Sequence, residues 1–472
     1  MYGRRGALML SLDCHHPDLL DFIHAKSDLD KVTKANISVR VTDDFMQAVE
    51  ANEDFELSFS RAETGEVITK TVKAREVFFE LAKMNWDYAE PGVLFWDRIK
   101  DWNLLSNNDE FEYAGTNPCA EEPLPAGGSC LLGSINLSEF VIYPFKKNAS
   151  FDFDGFRNAV KICVRALNDV LDEGLPLHPL QEQRDSVRDW RQIGLGVMGI
   201  ADMLIKLGLR YGSEEAINLC SIIGSLMAET AIDCSCDLAQ QYGQYPKCNS
   251  ASVILSPFFQ ENSGCAEDIA ERVLIHGLRN SQLLTIAPTG TLSTMLGVSG
   301  GIEPIFATSY TRKTESLHNK KGEVYYTVYT PVIAQLMAAK GIAAEADLPD
   351  YVVTAQELDY KERIQMQSVW QKHIDASISS TVNVPHEQLS KSGTCPSFQY
   401  KRGKGETLCD GKSCASAIGN VLRSIIRGTK MEELGQEKDK AKKQSLCPSC
   451  GEPLIYEGGC NVCKSCGWSK CD

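Results

Sequence analysis

The chain has 472 residues, 43% of them hydrophobic and 24% charged, with a formal net charge of −15. That length allows two to four domains or one large barrel with additions, around an ordinary globular core. The acidic balance argues against a nucleic-acid binder, which would show a basic face, and no run of about 18 apolar residues marks a membrane span.

Residues 6–13 predict a buried strand and residues 17–26 a helix, with His15 and His16 in the turn between them as structural residues rather than metal ligands. Residues 36–42 alternate as a strand, residues 43–50 predict a capped helix and residues 55–72 a hairpin. From Ala74 to Tyr88 an apolar stripe at Val77, Phe78, Leu81 and Ala82 predicts a helix. Strand, helix, strand, helix is the grammar of an α/β barrel or a wound sheet.

Residues 116–137 break that grammar. Prolines at 118, 123 and 125 with Gly127 and Gly128 predict a stiff, shaped loop. Asn117, Cys119 and Glu121 occupy alternate positions, so in an extended loop their side chains leave on one side. A thiol between an amide and a carboxylate is a candidate reacting centre, and a second thiol, Cys130, precedes a strand-like run at 131–137. The other reading is a structural loop with two small buried thiols.

Residues 151–171 predict a helix and residues 187–207 a long one, in which Gly194, Gly196 and Gly199 allow close backbone packing at about 1 kcal/mol each. Residues 213–242 predict an amphipathic helix with Cys220, Cys234 and Cys236 as packing residues. Residues 281–287 predict a strand entering the turn Pro288-Thr-Gly-Thr-Leu-Ser293 and a helix. Backbone amides at such a helix start, with hydroxyls beside them, suit a phosphate; a plain turn with a threonine cap is the alternative. Residues 322–330 and 377–384 look strand-like around a helix at 354–375, whereas 386–428, with Cys395, Cys409 and Cys414, has no clear period. Residues 429–445 form a charged tether.

The tail carries two Cys-x-x-Cys-Gly knuckles, Cys447/Cys450 and Cys463/Cys466, which supply four soft ligands for a tetrahedral Zn²⁺. Cys460 and Cys471 are left over for thiol–disulfide exchange. The alternative keeps Cys460 as ligand and leaves Cys466 and Cys471 free. Eighteen cysteines with no signal-peptide pattern around Arg4 and Arg5 point to a reducing cytoplasm.

Asn-Pro-Cys-x-Glu at 117–121, Cys-x-Leu-Gly-Ser-Ile-Asn-Leu at 130–137 and Ala-Pro-Thr-Gly-Thr-Leu-Ser at 287–293 together resemble the catalytic subunit of ribonucleotide reductase, of the adenosylcobalamin-dependent class. Gly-Arg-Arg-Gly-Ala-Leu-Met at 3–9 and Gly-Leu-Gly-Val-Met-Gly-Ile-Ala-Asp at 194–202 extend the resemblance, in the family's order, over residues 3–385. It implies an α/β fold, the C-terminal part of a ten-stranded α/β barrel with a catalytic finger loop near 116–130, in residues 1–385. A divergent segment and linker at 386–446 and a zinc-ribbon or redox tail at 447–472 would follow.

The resemblance also implies reduction of ribonucleotides to 2′-deoxyribonucleotides with adenosylcobalamin as radical source. Cys119 would be the thiyl radical, Glu121 the general base, Asn117 a hydrogen-bonding partner of the ribose and Cys130 half of the reducing dithiol. Thr289, Gly290, Thr291 and Ser293 would hold the substrate's phosphates. The tail thiols would pass electrons from thioredoxin or glutaredoxin. In the family the partner of Cys130 lies upstream of the segment matched at residue 3, so a separate N-terminal reductase polypeptide is expected to complete the enzyme. Two rival readings are the large subunit of an iron-dependent reductase, with Tyr325 and Tyr326 as its adjacent tyrosine pair, and a non-catalytic zinc-ribbon interaction protein.

Overall fold

The computed structural model describes residues 6–28, 30–263, 267–314 and 324–381, together with the backbone of 398–403, 406–411, 455–457, 460–462 and 469–471. These fall into two compact units, residues 1–426 and 427–472.

The first unit opens with β1 (Leu8–Asp13), α1 (Leu19–Ile23), β2 (Ala35–Val41), α2 (Asp43–Ala51), the hairpin β3 (Asp54–Ser60) and β4 (Val67–Lys73), α3 (Ala74–Tyr88), β5 (Gly92–Phe95) and α4 (Trp96–Asp101). Strands β1, β2 and β5 form a parallel sheet in that order. Helix α3 has the bounds the sequence predicts, because Ala74, Val77, Phe78 and Leu81 recur at helical spacing and are all at most 3% exposed. They pack on Leu19, Ile23, Phe45, Val49 and Leu57, each buried large side chain stabilising by about 1.5–3 kcal/mol. Helix α1 spans five residues rather than the ten expected.

The second part carries β6 (Gly115–Thr116), β7 (Pro123–Leu124), β8 (Leu132–Asn136), the pair β9 (Val141–Ile142) and β10 (Ser150–Phe151), α5 (Phe153–Gly174), α6 (Gln181–Trp190), β11 (Gly194–Met198), α7 (Ile200–Leu207) and α8 (Glu214–Tyr242). The long helix expected over 187–207 is instead helix, strand, helix. Residues 194–198 run parallel to β8, Gly194 opposite Leu132 and Met198 opposite Asn136. Glycine suits a strand that another backbone approaches closely, and all five residues of β11 are buried. Two extended segments continue this sheet through parallel bridges, Leu195 with Leu284 and Ile286 with Ile378. Among the described residues the two parallel sheets do not close into a barrel.

Helix α8 is held by its Ser213 cap, which accepts from the Ala216 amide at 3.2 Å. It is long and apolar enough to cross a membrane by composition, which the sequence reading did not flag. In this fold 67% of its apolar window is buried in the core, Cys220, Cys234 and Cys236 included. Against it pack α10 (Pro257–Asn262) and α11 (Glu267–His276), with α9 (Ser250–Leu255) packed on both. Then follow α12 (Gly290–Leu296), the hairpin β12 (Ser309–Thr314) with β13 (Val324–Tyr329), α13 (Pro331–Lys340) and α14 (Tyr360–Gln371), which starts on an Asp359/Glu362 capping box.

In the stretch without a clear period, β14 (Phe398–Gly403) and β15 (Glu406–Gly411) pair as an antiparallel hairpin. The second unit contains β16 (Ile455–Glu457), β17 (Cys460–Val462) and β18 (Ser469–Cys471), an antiparallel sheet with Cys460 opposite Cys471. The proposed zinc ligands Cys447, Cys450, Cys463 and Cys466 lie outside the described residues, as do Cys395 and Cys414.

Candidate active site

Residues 116–130 form a finger. Its strands β6 and β7 pair Thr116 with Pro123 and Gly115 with Leu124. The tip is a tight turn, not the extended run expected. The Asn117 amide donates to the Glu122 carbonyl at 3.1 Å, and the Ala120 amide to the Asn117 carbonyl at 3.0 Å. Asn117 Oδ1 accepts from the Glu122 amide at 3.0 Å, and Ala120 takes a left-handed φ of 64°. Proline at 118 and the asparagine side chain favour this closure over extension. Alternate positions therefore do not share a face: Cys119 is exposed, whereas Glu121 is 2% exposed. The Asn117 side-chain oxygen is committed to the turn, and its side chain also hydrogen-bonds the Glu121 carboxyl.

The finger is rooted in the second sheet. The Glu121 carbonyl accepts from Thr285 Oγ1 at 2.6 Å and from the Ser377 amide at 3.0 Å. Beside it, Glu122 Oε2 accepts from Gln282 Nε2 at 2.8 Å, and Gln282 Oε1 accepts from Gln192 Nε2 at 3.0 Å. The glycines of β11 make room for this. A Cβ on Gly194 would stand 2.4 Å from Glu122 Oε1, and one on Gly196 would stand 2.2 Å from the Thr285 carbonyl oxygen. At the finger's base Gly127 has φ +69°, and a Cβ there would meet the Glu182 carbonyl at 2.8 Å. The sequence reading missed Glu122, Gln282, Thr285 and Asp375. A signal was present, since Gln282 and Thr285 interrupt an otherwise apolar strand.

Three carboxyls crowd beneath the tip. Burial pushes Glu121 up against its Asn117 hydrogen bond. Burial holds Glu122 well above the usual carboxylate range, although Gln282 opposes this. Burial raises Asp375 to about 7, even though it accepts from the Leu283 and Leu284 amides at 2.9 and 2.6 Å. The upward direction at all three follows from the cost of burying charge without a cation. The thiols respond in the same sense. Cys119 is raised by burial and then by Glu121. Cys130 is pushed up to about 12, by burial first and then by Glu122, Glu121 and Cys119. The two cysteines and two glutamates thus form one electrostatic group.

Pro118, Cys119 and Ala120 face a cleft of ≈1490 Å³ between the β1–β2–β5 sheet and residues 376–381. That exceeds the roughly 300–1,000 Å³ of ordinary ligand pockets. Its wall is largely apolar, with Ile37, Val93, Leu94, Phe95 and Ile378.

The predicted phosphate turn starts α12, off this cleft and four residues beyond Thr285. Thr289 is in left-handed backbone at φ 49° and caps nothing; its hydroxyl accepts from the Gly301 amide at 2.9 Å. Ser293 is buried, its hydroxyl donating to the Gly290 carbonyl at 3.4 Å. Of the four residues named from sequence, Gly290 and Thr291 are the exposed ones. Tyr325 and Tyr326 are exposed on β13 and do not line the cleft.

The sequence that builds this finger and cleft has relatives among known proteins. Residues 2–399 match the family described as ribonucleotide reductase, barrel domain, and the chain belongs to that family. Among curated relatives it is 32% identical over 428 residues to the vitamin B12-dependent ribonucleoside-diphosphate reductase of Thermoplasma acidophilum, covering 86% of this chain and 52% of the relative. It is 33% identical over 395 residues to the enzyme of the same name from Mycobacterium tuberculosis, covering 81% and 53%. It is 28% identical over 511 residues to the vitamin B12-dependent ribonucleotide reductase of Streptomyces coelicolor, covering 94% and 52%. The chain thus spans about half the length of the curated relatives it matches.

Proposed function

We propose that the chain forms part of an enzyme that reduces ribonucleotides to 2′-deoxyribonucleotides by thiyl-radical chemistry. The observation that carries this is an exposed Cys119 on a hairpin tip tied down within the turn and at its root, with a buried carboxyl two residues away. As a thiyl, Cys119 takes the 3′-hydrogen and later returns it. Burial raises Glu121, so its carboxylate is a stronger base for the 3′-hydroxyl proton than an ordinary carboxylate would be. Asn117 steadies Glu121 and lies beside the ribose hydroxyls. Cys130, held as a thiol, is half of the pair that gives one hydrogen to the departing 2′-hydroxyl, which leaves as water, and the other to C2′, while the sulfurs join as a disulfide. Gly290 and Thr291 bind the phosphates at the start of α12, with Thr289 and Ser293 shaping that turn.

The cleft beside Cys119 is large enough for a bulky cofactor, with apolar side chains to face a flat ring and polar ones such as Gln367, Ser379 and Ser380 to meet amide groups at its edge. The vitamin B12 dependence of the relatives favours a cobalamin, here adenosylcobalamin, which when bound would supply the initiating radical. Ile37, Val93, Leu94, Phe95 and Ile378 would hold it. In the tail, Zn²⁺ on Cys447, Cys450, Cys463 and Cys466 would leave Cys460 and Cys471 as the shuttle pair. The β17–β18 register supports that choice, since opposed residues on antiparallel strands lie about 4.5–5.5 Å apart at Cα, within disulfide reach. Thioredoxin or glutaredoxin would reduce that pair in the cytoplasm.

A second polypeptide would complete the barrel and supply the partner thiol of Cys130. The outer edge of β1 has no strand beside it among the described residues, with Leu8 54% and Leu10 42% exposed. The test is deoxynucleotide formation with adenosylcobalamin and a dithiol. Turnover is expected with a complementary N-terminal half and not without it. Full turnover by this chain alone would refute the need for a second polypeptide, and none under either condition would refute the reductase reading.

A further inference from the structure

The finger tip has a second anchor that its own hairpin does not explain. Asn36, at the start of β2, donates from Nδ2 to the Pro118 carbonyl at 3.0 Å across 82 residues of chain. Ala35 and Ile37 on either side are buried in the sheet, whereas Asn36 is exposed and lines the cleft. The other anchor, Thr285 Oγ1 and the Ser377 amide on the Glu121 carbonyl, belongs to the second sheet. The two anchored carbonyls, 118 and 121, bracket Cys119. The turn itself is closed by Asn117, through its backbone to Ala120 and Glu122 and through its side-chain oxygen to the Glu122 amide.

We propose that Asn36 is a positioning residue for the reaction, fixing the Cys119 sulfur between the two sheets by holding the Pro118 carbonyl. This rests on the reading of Cys119 as the reacting thiol. A one-sided root would let the tip pivot about Glu121, and a displacement of about 1 Å at a reacting atom can lower a rate 100-fold. The anchor is a donor that must meet a carbonyl oxygen, so its chemistry matters more than its bulk. Aspartate has the shape of asparagine but offers only acceptors when ionised. It should therefore disturb the tip at least as much as alanine does, an order that loss of packing would not produce.

The experiment compares Asn36→Ala and Asn36→Asp in the full chain without cofactor. Amide hydrogen exchange is read by peptide over 117–122, and alkylation is read separately at Cys119 and Cys130. Expected are exchange and Cys119 alkylation at least 3-fold faster in both variants, Asp no milder than Ala, with Cys130 alkylation and the melting temperature unchanged. In reconstituted enzyme kcat should fall about 10-fold or more at constant KM. Parent-like exchange and alkylation at the tip in both variants would overturn the proposal, as would an Asp variant milder than Ala or a change spread over the whole chain. If the tip responds as expected but Cys119 proves dispensable for turnover, the anchor stands and the reductase reading fails.

Discussion

Replacing Gly196 with alanine should be far more damaging than its single methyl suggests. The new Cβ would lie 2.2 Å from the Thr285 carbonyl oxygen and 3.2 Å from Ile286 Cα, where ordinary contact begins near 3.4 Å. Both neighbours are backbone, so relief requires residues 283–287 to retreat by about 1 Å from β11. That stretches the Leu195-to-Leu283 and Thr285-to-Leu195 hydrogen bonds, now 2.8 and 3.1 Å. Overpacking costs about 1–3 kcal/mol and each weakened hydrogen bond about 1 kcal/mol, giving a loss of about 3–5 kcal/mol. Urea unfolding followed by tryptophan fluorescence measures it. Gly174→Ala, at the end of α5 with nothing within 4 Å of its Cβ, is the control and should gain up to about 1 kcal/mol. Because Thr285 holds the finger, Cys119 in Gly196→Ala should also be alkylated faster. A Gly196→Ala protein within about 0.5 kcal/mol of the parent would refute the close-approach reading of β11.

Other consequences can be checked in parallel. Asp375 is raised from 3.8 to about 7, so its stabilising neutral form is fully present below about pH 4 and lost as pH rises through 7. Unfolding free energy should fall across that window by an order of 4 kcal/mol from this group, and Asp375→Asn should flatten the slope of melting temperature against pH; an unchanged slope rejects the assignment. Thr291→Ala should raise KM for the nucleotide about 10-fold with unchanged melting temperature, whereas Thr289→Ala should lower stability by about 1 kcal/mol because its hydroxyl holds the Gly301 amide. Cys471→Ser should keep turnover driven by a small synthetic dithiol and lose turnover driven by thioredoxin, while bound zinc, measured by elemental analysis, stays at the parent level.

Where the sequence was readable, the physics was local. Helix α3 announces itself through a four-position apolar stripe, and β2 through alternation. The misreading of 187–207 has a specific cause. Residues such as Leu195, Val197 and Met198 are buried on both faces of a parallel strand, so no two-residue alternation survives to distinguish strand from helix. The glycines there were correctly taken as sites of close approach, but what approaches, Thr285 and Glu122, is set by residues 70 or more positions away and cannot be read locally. The finger's residues were legible as a motif, and its shape was not. Spacing predicts which side chains share a face only if the backbone is extended, and Asn117 folds the tip by bonding the Glu122 amide. Thr289 and Ser293 carry the right hydroxyls for an anion, yet tertiary contacts turn both inward.

Deoxynucleotide formation by Cys119→Ser protein, reconstituted with the complementary half, adenosylcobalamin and a dithiol, probes the radical assignment most directly. Serine keeps the turn, the two anchors and the neighbouring carboxyls, and removes only the sulfur. No product above background is expected, along with loss of the cobalt-coupled thiyl signal in electron paramagnetic resonance. Product at the parent rate would mean that the hydrogen is taken elsewhere and that the finger serves another purpose.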